Sequence, residues 1–170
     1  GGTISVDKTH SIAFSSSSTI EDIPSLSTYD VVLECTGKHL KVAGLNKYFE
    51  LGVKRVIVSA PVKEEGAVNI VLGCNHDLIG DNRLVTNASC TTNCIAPVIK
   101  VMKEKLGIVH GCITTIHNVT GTQTLVDMPN TKKSDLRRAR SGMLNLAPTS
   151  TGSATAVIEI FPELKGKLNG

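Results

Sequence analysis

The order of apolar and polar positions predicts alternating strands and helices in the first half of the chain. Short apolar or alternating runs indicate strands at residues 4–6, 12–14, 31–33, 53–58 and 68–72. The run at 31–33 is continuous, as in strands that are buried in a parallel sheet. Apolar residues then recur at helical spacing over residues 40–51, and Gly52 suits the helix C-terminus. This strand–helix–strand order is typical of a doubly wound α/β sheet.

The second half begins with a predicted strand at residues 82–86 and a predicted helix with one apolar face. That face consists of Ile95, Val98, Ile99, Met102 and Leu106. Pro97 lies inside the helical pattern and is expected to kink the helix or to remove one hydrogen bond. We expect a long strand at residues 107–117, a functional or disordered loop at 118–143, and a last helix at 154–161 that ends at Pro162.

Composition adds limits on the class of protein. The chain has 170 residues, enough for one sizeable core or two small lobes, and is 41% hydrophobic and 19% charged, as in ordinary soluble globular proteins. A formal net charge of +3 is too small to indicate a nucleic-acid or membrane-surface partner. No apolar run approaches the roughly 20 residues that span a bilayer. Five cysteines without framework spacing predict reduced thiols in a reducing compartment.

Cys90 lies at the predicted junction between the strand at 82–86 and the helix that follows, with Ser89 in a position to cap that helix. At a helix N-terminus the exposed N–H groups and the macrodipole favour the nucleophilic thiolate. Hydroxyls on both sides, from Ser89 and Thr91, suit an anion at the same terminus. An inert, packed cysteine would also fit this position, so placement alone leaves both interpretations open.

The residues around Cys90 form a longer motif, and other motifs accompany it. Residues 87–94 read Asn-Ala-Ser-Cys-Thr-Thr-Asn-Cys. Elsewhere the chain carries Glu-Cys-Thr-Gly at 34–37, Val-Ser-Ala-Pro at 58–61, Thr-Thr-Ile-His at 114–117, Asp-Leu-Arg-Arg-Ala-Arg at 135–140, Thr-Ser-Thr-Gly at 149–152 and Pro-Glu-Leu-Lys-Gly-Lys-Leu at 162–168. In this combination and order the motifs resemble the phosphorylating glyceraldehyde-3-phosphate dehydrogenases, whose active-site signature is the octet. The chain is identified as a member of that family.

The resemblance implies a fold and a division into domains. It implies part of a Rossmann-like doubly wound α/β sheet in a partial NAD-binding domain at residues 1–88. Part of an α+β catalytic domain is implied at residues 89–170. No Gly-x-Gly-x-x-Gly turn follows a first strand, so we expect the chain to be the middle of a longer polypeptide and to be inactive by itself. NAD is the implied cofactor, a homotetramer the implied full-length assembly, and the cytoplasm the implied location.

The resemblance also assigns roles to individual residues. Cys90 is the implied nucleophile, and His117 is the implied base that keeps Cys90 ionised. The residues implied to bind the attacking phosphate are Ser89, Thr91, Thr151 and Gly152, and Thr120 is implied for the phosphate of the substrate. The residues implied to contact NAD are Thr36, Gly37, Ser59 and Ala60. Lys38 departs from the aromatic or aliphatic residue that is usual after Thr-Gly, whereas Asp-Met-Pro at 127–129 resembles NAD-using rather than NADP-using members.

The implied activity is oxidation of glyceraldehyde 3-phosphate with inorganic phosphate. Alternatives are an erythrose-4-phosphate dehydrogenase, an arsenate-handling variant of the same enzyme, or a module that only binds partners. Cys90 and Cys94 lack a second ligand pair with zinc-like spacing, so no metal is expected. The basic residues of the long loop are Lys132, Lys133, Arg137, Arg138 and Arg140. They lack interleaved aromatics and predict a solvated loop with intersubunit contacts, without a nucleic-acid or membrane partner.

Overall fold

The computed structural model of the protein describes residues 1–121, 123, 137 and 142–170. The chain divides into two compact units, Gly1–Pro97 and Val98–Gly170. The boundary between the units falls within helix α2 (Cys90–Lys105). No helix among the described residues is both long enough and apolar enough to cross a membrane.

The first unit opens with an exposed antiparallel hairpin of β1 (Gly2–Val6) and β2 (His10–Phe14). Both strands were predicted, and Ile4 pairs with Ile12 across them. The turn uses Asp7 and Lys8, which have φ angles of 49° and 63°. Positive φ at both central turn residues matches the right-handed twist of the flanking strands, so this short turn closes the hairpin.

Four parallel strands of the first unit form one sheet in the order β3-β4-β6-β5. They are β3 (Val31–Glu34), β4 (Arg55–Val58), β5 (Val68–Asn69) and β6 (Leu84–Thr86). Helix α1 (Val42–Glu50) connects β3 to β4, and Gly52 follows it with a φ of 95°. The predicted α/β class is therefore confirmed.

The core of the first unit lies between α1 and one face of the sheet. Its buried apolar residues are Ile20, Leu26, Leu45, Tyr48, Val53, Val56, Val58, Val62 and Leu84. Val32 of β3 packs against this core, but Val31 and Leu33 are 47% and 66% exposed. The prediction that this apolar run is buried was therefore wrong for Val31 and Leu33. The run occupies the edge strand of the sheet, where alternate side chains face away from the core.

Strand β5 is shorter than the predicted run at 68–72. The amide N–H of Ile70 still bonds to the carbonyl of Thr86, at 2.9 Å, but the chain then turns. The carbonyl of Val71 accepts bonds from the N–H groups of Cys74 and Asn75. The side-chain oxygen of Asn75 in turn accepts the N–H of Val71 at 2.8 Å. These local bonds replace the sheet ladder after two residues.

The second unit contains the end of α2, helix α3 (Ser153–Ile160) and a small parallel pair, β7 (Gly111–Cys112) with β8 (Leu168–Asn169). Helix α3 was predicted, and a 3-10 turn at Pro162–Leu164 follows it. The long strand expected at 107–117 was wrong, because only two of its residues find a partner strand in the described part of the chain. Val109 and Ile116 are instead 77% and 97% exposed.

Packing in the second unit centres on α3 and the turn after it. Val157, Phe161 and Leu164 are all buried there. Lys103 of α2 forms an ion pair with Glu163 at 2.5 Å, and its ammonium group lies 4.6 Å from the centre of the Phe161 ring. These contacts hold the C-terminal part of α2 against the turn that follows α3.

Candidate active site

Three predicted groups of site residues lie just beyond the carboxyl ends of neighbouring parallel strands. Thr36 and Gly37 follow β3, Ser59 and Ala60 follow β4, and Ser89 and Cys90 follow β6. The strands are in register, with Glu34 opposite Val58 and Val58 opposite Thr86. This edge of an open α/β sheet is where such folds bind ligands.

Two backbone hydrogen bonds extend the register past the strand ends. The N–H of Ser59 donates to the carbonyl of Glu34 at 2.9 Å, and the N–H of Asn87 donates to the carbonyl of Val58 at 2.9 Å. The loops after β3, β4 and β6 are therefore tied to one another where the candidate residues begin.

The turn between β6 and α2 is braced on both sides of Ala88. Ala88 has a φ of 50°, in the left-handed region, and its N–H donates to the hydroxyl of Thr86 at 3.0 Å. The side-chain amide of Asn93 donates to the carbonyls of Asn87 and Ser89, at 2.7 Å and 2.9 Å. Asn93 belongs to the octet motif, but its bonds back to Asn87 and Ser89 could not be inferred from the motif.

Ser89 caps helix α2, as the sequence predicted. Its hydroxyl accepts a hydrogen bond from the N–H of Thr92 at 3.1 Å and lies 2.7 Å from the Thr92 hydroxyl. Thr92 is buried. Cys90 is therefore the first residue of the helix, and its side chain is exposed. The N–H groups of the first turn and the helix dipole favour an anion at this point, which includes a thiolate. All five cysteines lie among the described residues, and none forms a disulfide.

The Thr36–Gly37 turn is held by a buried carboxylate that sequence reasoning missed. Glu34 is 2% exposed, and its carboxylate accepts bonds from the N–H of Thr36 at 2.8 Å, from the Thr36 hydroxyl and from the Tyr48 hydroxyl. The N–H of Lys38 donates to the Thr36 hydroxyl at 3.1 Å. Gly37 has a φ of 69°, and a Cβ at this position would meet no atom within 4 Å. The glycine therefore serves the backbone conformation and leaves open space beside the turn.

The electrostatics of Glu34 and Tyr48 follow from their burial and their hydrogen bond. Burial raises the pKa of Glu34, but the hydrogen bonds from Thr36 and Tyr48 together outweigh it and hold the pKa below its ordinary value. Burial, and then the bond to Glu34, raise the pKa of Tyr48. The sequence signal that could have identified Glu34 is an acidic residue at the end of an apolar strand. Its partner, Tyr48, lies on a different element and could not be inferred from spacing.

Thr91 is the second residue of α2 and belongs to the first unit, and the remaining predicted residues lie in the second unit. His117 is exposed, and its Nδ1 lies 2.7 Å from the carbonyl oxygen of Asn118. Because a carbonyl only accepts, Nδ1 carries the proton and Nε2 is the acceptor in the neutral ring. Thr120 is exposed, and its N–H donates to the side chain of Gln123 at 3.0 Å.

Thr151 and Gly152 are exposed residues that precede helix α3. The hydroxyl of Thr151 accepts the N–H of Ser153 at 3.2 Å and lies 2.6 Å from the Ser153 hydroxyl. The carbonyl of Gly152 accepts the N–H of Ala156 at 2.9 Å, which closes the first turn of the helix. Like Ser89 and Thr91, these residues thus lie at the start of a helix, the setting expected of anion ligands.

Several predictions for the long loop fall outside the described residues. These are the Asp-Met-Pro segment at 127–129 and the basic residues Lys132, Lys133, Arg138 and Arg140. Arg137 is described and is exposed. Among the described residues, no three His, Cys, Asp or Glu side chains converge as a group that would hold a metal ion.

Fold and site together define an α/β protein with an exposed cysteine at a helix N-terminus on the ligand-binding edge of a parallel sheet. The family described as glyceraldehyde 3-phosphate dehydrogenase, C-terminal domain, matches residues 89–170. Glyceraldehyde-3-phosphate dehydrogenase 3 of Nostoc sp. is 62% identical over 143 residues, which cover 83% of this chain and 41% of the relative. The enzyme of Zymomonas mobilis is 47% identical over 142 residues, with 83% and 41% covered.

A chloroplastic glyceraldehyde-3-phosphate dehydrogenase A from Scenedesmus vacuolatus is 47% identical over 142 residues, which cover 83% of this chain and 44% of the relative. The chain belongs to the glyceraldehyde-3-phosphate dehydrogenase family, as its motifs predicted. The matched region spans less than half of the length of each of these relatives.

Proposed function

We propose that the full-length protein oxidises glyceraldehyde 3-phosphate, with NAD and inorganic phosphate, to 1,3-bisphosphoglycerate and NADH. The observation that carries this proposal is the position of Cys90, exposed as the first residue of α2 at the carboxyl edge of the sheet. The relatives, which are named glyceraldehyde-3-phosphate dehydrogenases, support the choice of substrate.

Cys90 is the proposed nucleophile. An aldehyde surrenders hydride readily only after a nucleophile has added to its carbonyl carbon. The thiolate of Cys90 forms a C–S bond to that carbon, and the carbonyl oxygen becomes an alkoxide in a hemithioacetal. Preorganised donors stabilise such an oxyanion, and the helix N-terminus that favours the thiolate before attack is one source of them.

His117 is the proposed acid–base group. With Nδ1–H directed to the Asn118 carbonyl, Nε2 is the nitrogen that exchanges a proton. It accepts the proton of the Cys90 thiol and returns it to the oxygen of the adduct. When that oxygen is deprotonated again, the C–H bond is weakened and hydride departs, leaving a thioester on Cys90.

The residues at the sheet edge fit NAD as the cofactor. Thr36 and Gly37 form an exposed turn with open space beside the glycine, and the exposed Ser59 lies after the neighbouring strand. These two loops would hold the dinucleotide, as such edges do in open α/β sheets. When bound, NAD supplies the hydride acceptor.

Inorganic phosphate is the proposed second nucleophile. Its attack on the thioester carbon expels the Cys90 thiolate and gives an acyl phosphate. Ser89, Thr91, Thr151 and Gly152 are the proposed ligands of this phosphate, with Thr120 proposed for the phosphate of the substrate. Hydroxyls and backbone N–H groups at helix N-termini suit phosphate oxygens, and all but Thr120 adjoin the start of α2 or α3.

The organisation of the protein is part of the same proposal. Residues 1–88 are proposed as NAD-binding and residues 89–170 as catalytic. A homotetramer in the cytoplasm is proposed for the full-length protein. The match of residues 89–170 to the C-terminal domain of the family supports the proposed boundary.

The function is tested by NADH formation in the full-length protein with each candidate aldehyde. Glyceraldehyde 3-phosphate should support turnover that depends on phosphate. Cys90→Ser should abolish that turnover and leave NAD binding intact, since the thiol acts on substrate. Cys94→Ser, one helical turn further on and also exposed, is the matched control and should stay active. Faster turnover with erythrose 4-phosphate, or activity in Cys90→Ser, would contradict the proposal.

A further inference from the structure

Two buried or half-buried polar residues, Thr86 and Asn69, form hydrogen bonds next to the turn that leads into Cys90, and the mechanism above gives them no role. Thr86 is the last residue of β6 and is 1% exposed, and Asn69 is the last residue of β5. The Thr86 hydroxyl donates to the side-chain oxygen of Asn69 at 2.6 Å and accepts the N–H of Ala88 at 3.0 Å. One hydroxyl therefore links the end of β5 to the backbone two residues before Cys90.

The hydrogen bond between Ala88 and Thr86 lies at a strained position of the backbone. Ala88 is 3% exposed and has a φ of 50°, which is costly for a residue with a side chain. Such a conformation persists only where the surroundings specify it. The Thr86 hydroxyl fixes the N–H of Ala88 from one side, and the Asn93 amide fixes the carbonyls of Asn87 and Ser89 from the other.

Asn69 connects the same hydroxyl to the loop after β4. Its side-chain amide donates to the carbonyl of Val62 at 2.9 Å, and its side-chain oxygen accepts the N–H of Val62 at 3.3 Å. Val62 is 1% exposed and lies three residues after Ser59. Asn75 anchors Asn69 in turn, by donating to its backbone carbonyl at 2.9 Å.

We propose that Thr86 and Asn69 are positioning residues that set the Cys90 turn relative to the loop carrying Ser59 and Ala60. The chain of contacts runs from Val62 through Asn69 and Thr86 to Ala88, and Cys90 follows two residues later. This inference rests on the proposed function, in which Cys90 attacks substrate while the β4 loop holds the cofactor. Displacement of a reacting group by about 1 Å can cost about 100-fold in rate, so a fixed spacing between these loops has catalytic value.

The test compares variants that keep or remove the Thr86 hydroxyl in the full-length protein. Thr86→Val keeps the shape of the side chain without the hydroxyl, and Thr86→Ser keeps the hydroxyl. Val56→Ala is the control for stability, because Val56 is fully buried in β4 but has no part in this chain of contacts. For each variant, kcat and KM are measured together with the rate at which iodoacetamide alkylates Cys90 relative to Cys35.

We expect Thr86→Val to lower kcat by about 10- to 100-fold and to slow Cys90 alkylation relative to Cys35. Thr86→Ser should restore both quantities to within about threefold of the wild type. Val56→Ala should lower the unfolding temperature without changing kcat or the alkylation ratio. Wild-type kcat and alkylation ratio in Thr86→Val, or equal losses in Thr86→Ser, would overturn the inference.

Asn69→Ala provides a second, independent variant at a half-buried position, which decides the question if Thr86→Val yields no folded protein. Asn69 contacts both the loop after β4 and Thr86, so Asn69→Ala should raise KM for NAD as well as lower kcat. Thr86→Val should change mainly kcat. Unchanged kcat, KM and alkylation ratio in Asn69→Ala would contradict the inference. Alkylation of Cys90 needs no substrate. If the wild-type protein is inactive but Thr86→Val still slows this alkylation, the proposed function is refuted and the positioning role stands.

Discussion

Glu34 is a carboxylate that the fold buries at the end of β3, beside the turn proposed to bind the cofactor. A buried charge is costly unless it is hydrogen-bonded, and Glu34 accepts bonds from Thr36 and from Tyr48. These contacts join α1 to the Thr36–Gly37 turn through one side chain. The ionised carboxylate of Glu34 accepts all three of these bonds.

Glu34→Gln should lower the free energy of unfolding by about 2 kcal/mol at pH 7, because hydrogen bonds to a charged group are replaced by weaker ones. Since the pKa of Glu34 is lowered in the folded state from its ordinary 4.5, its contribution is fully present above that value. The contribution is lost as the pH falls through the lower, folded pKa. Urea unfolding between pH 7 and pH 3 should show the gap between wild type and variant closing below about pH 4.5.

Glu50→Gln is the matched control for this experiment, since Glu50 is an exposed carboxylate at the end of α1. It should change the unfolding free energy by less than about 0.5 kcal/mol. A gap between wild type and Glu34→Gln that stayed constant down to pH 3 would mean that the charge of Glu34 has no part in stability.

His117→Asn tests the proposed acid–base role at the scale of one residue. Removal of such a group should lower kcat by roughly 10²–10⁴-fold. It should also slow Cys90 alkylation near neutral pH, because the thiol loses its base. His110→Asn removes another exposed histidine of the second unit and should leave both rates unchanged. Equal rates for wild type and His117→Asn would rule out the pairing of His117 with Cys90.

The end of helix α1 carries a prediction at the scale of one element. Gly52 has a φ of 95°, and a Cβ there would lie 3.1 Å from the Cβ of Ser27. Gly73 has a similar φ of 82°, but a Cβ there would meet no atom within 4 Å. Gly73→Ala should cost about 1–2 kcal/mol through backbone strain alone. Gly52→Ala should cost about 1–3 kcal/mol more, because the added methyl must also displace Ser27.

The measurement is urea or thermal unfolding of both variants in the same full-length background. Gly73→Ala serves as the control for the left-handed conformation, so the difference between the two variants isolates the contact with Ser27. Equal losses would show that Ser27 yields without cost and that only the φ angle requires glycine at the end of α1.

Helices and strands were predicted well from the sequence where the local apolar pattern agreed with the pairing of neighbouring strands. The apolar runs that became β3 and β4 flank a helix with its own C-terminal glycine, so spacing, turn chemistry and strand pairing all favour the same βαβ unit. The run at 107–117 shows the limit of this reasoning. Alternating apolar residues indicate that a strand is possible, but its length depends on a partner, and β8 pairs with only Gly111 and Cys112.

The candidate site was predictable to a similar extent. The octet motif and the strand–helix order predicted Cys90 at a helix N-terminus and Ser89 as its cap, because both depend on nearby residues. Glu34 with Tyr48, and Thr86 with Asn69, are contacts between elements that are distant in sequence. Such contacts depend on how the strands are ordered in the sheet, which no local pattern encodes.

Across the whole molecule, the five cysteines can be compared with one another to test the role of Cys90 as the nucleophile. Cys35, Cys94 and Cys112 are exposed, as Cys90 is, so accessibility alone does not single out one thiol. Only Cys90 among these is the first residue of a helix. We therefore expect chemistry with substrate to be confined to Cys90, although four thiols are open to solvent.

The most direct test is to identify the acylated residue in the full-length protein. Glyceraldehyde 3-phosphate and NAD are mixed with the protein in the absence of phosphate, the reaction is quenched with acid, and peptides are mapped by mass spectrometry. We expect a 3-phosphoglyceroyl thioester on Cys90 and unmodified Cys35, Cys94 and Cys112, with loss of the acyl group when phosphate is added before the quench. An acyl group on another cysteine, or NADH formed without any acylated Cys90, would contradict this expectation.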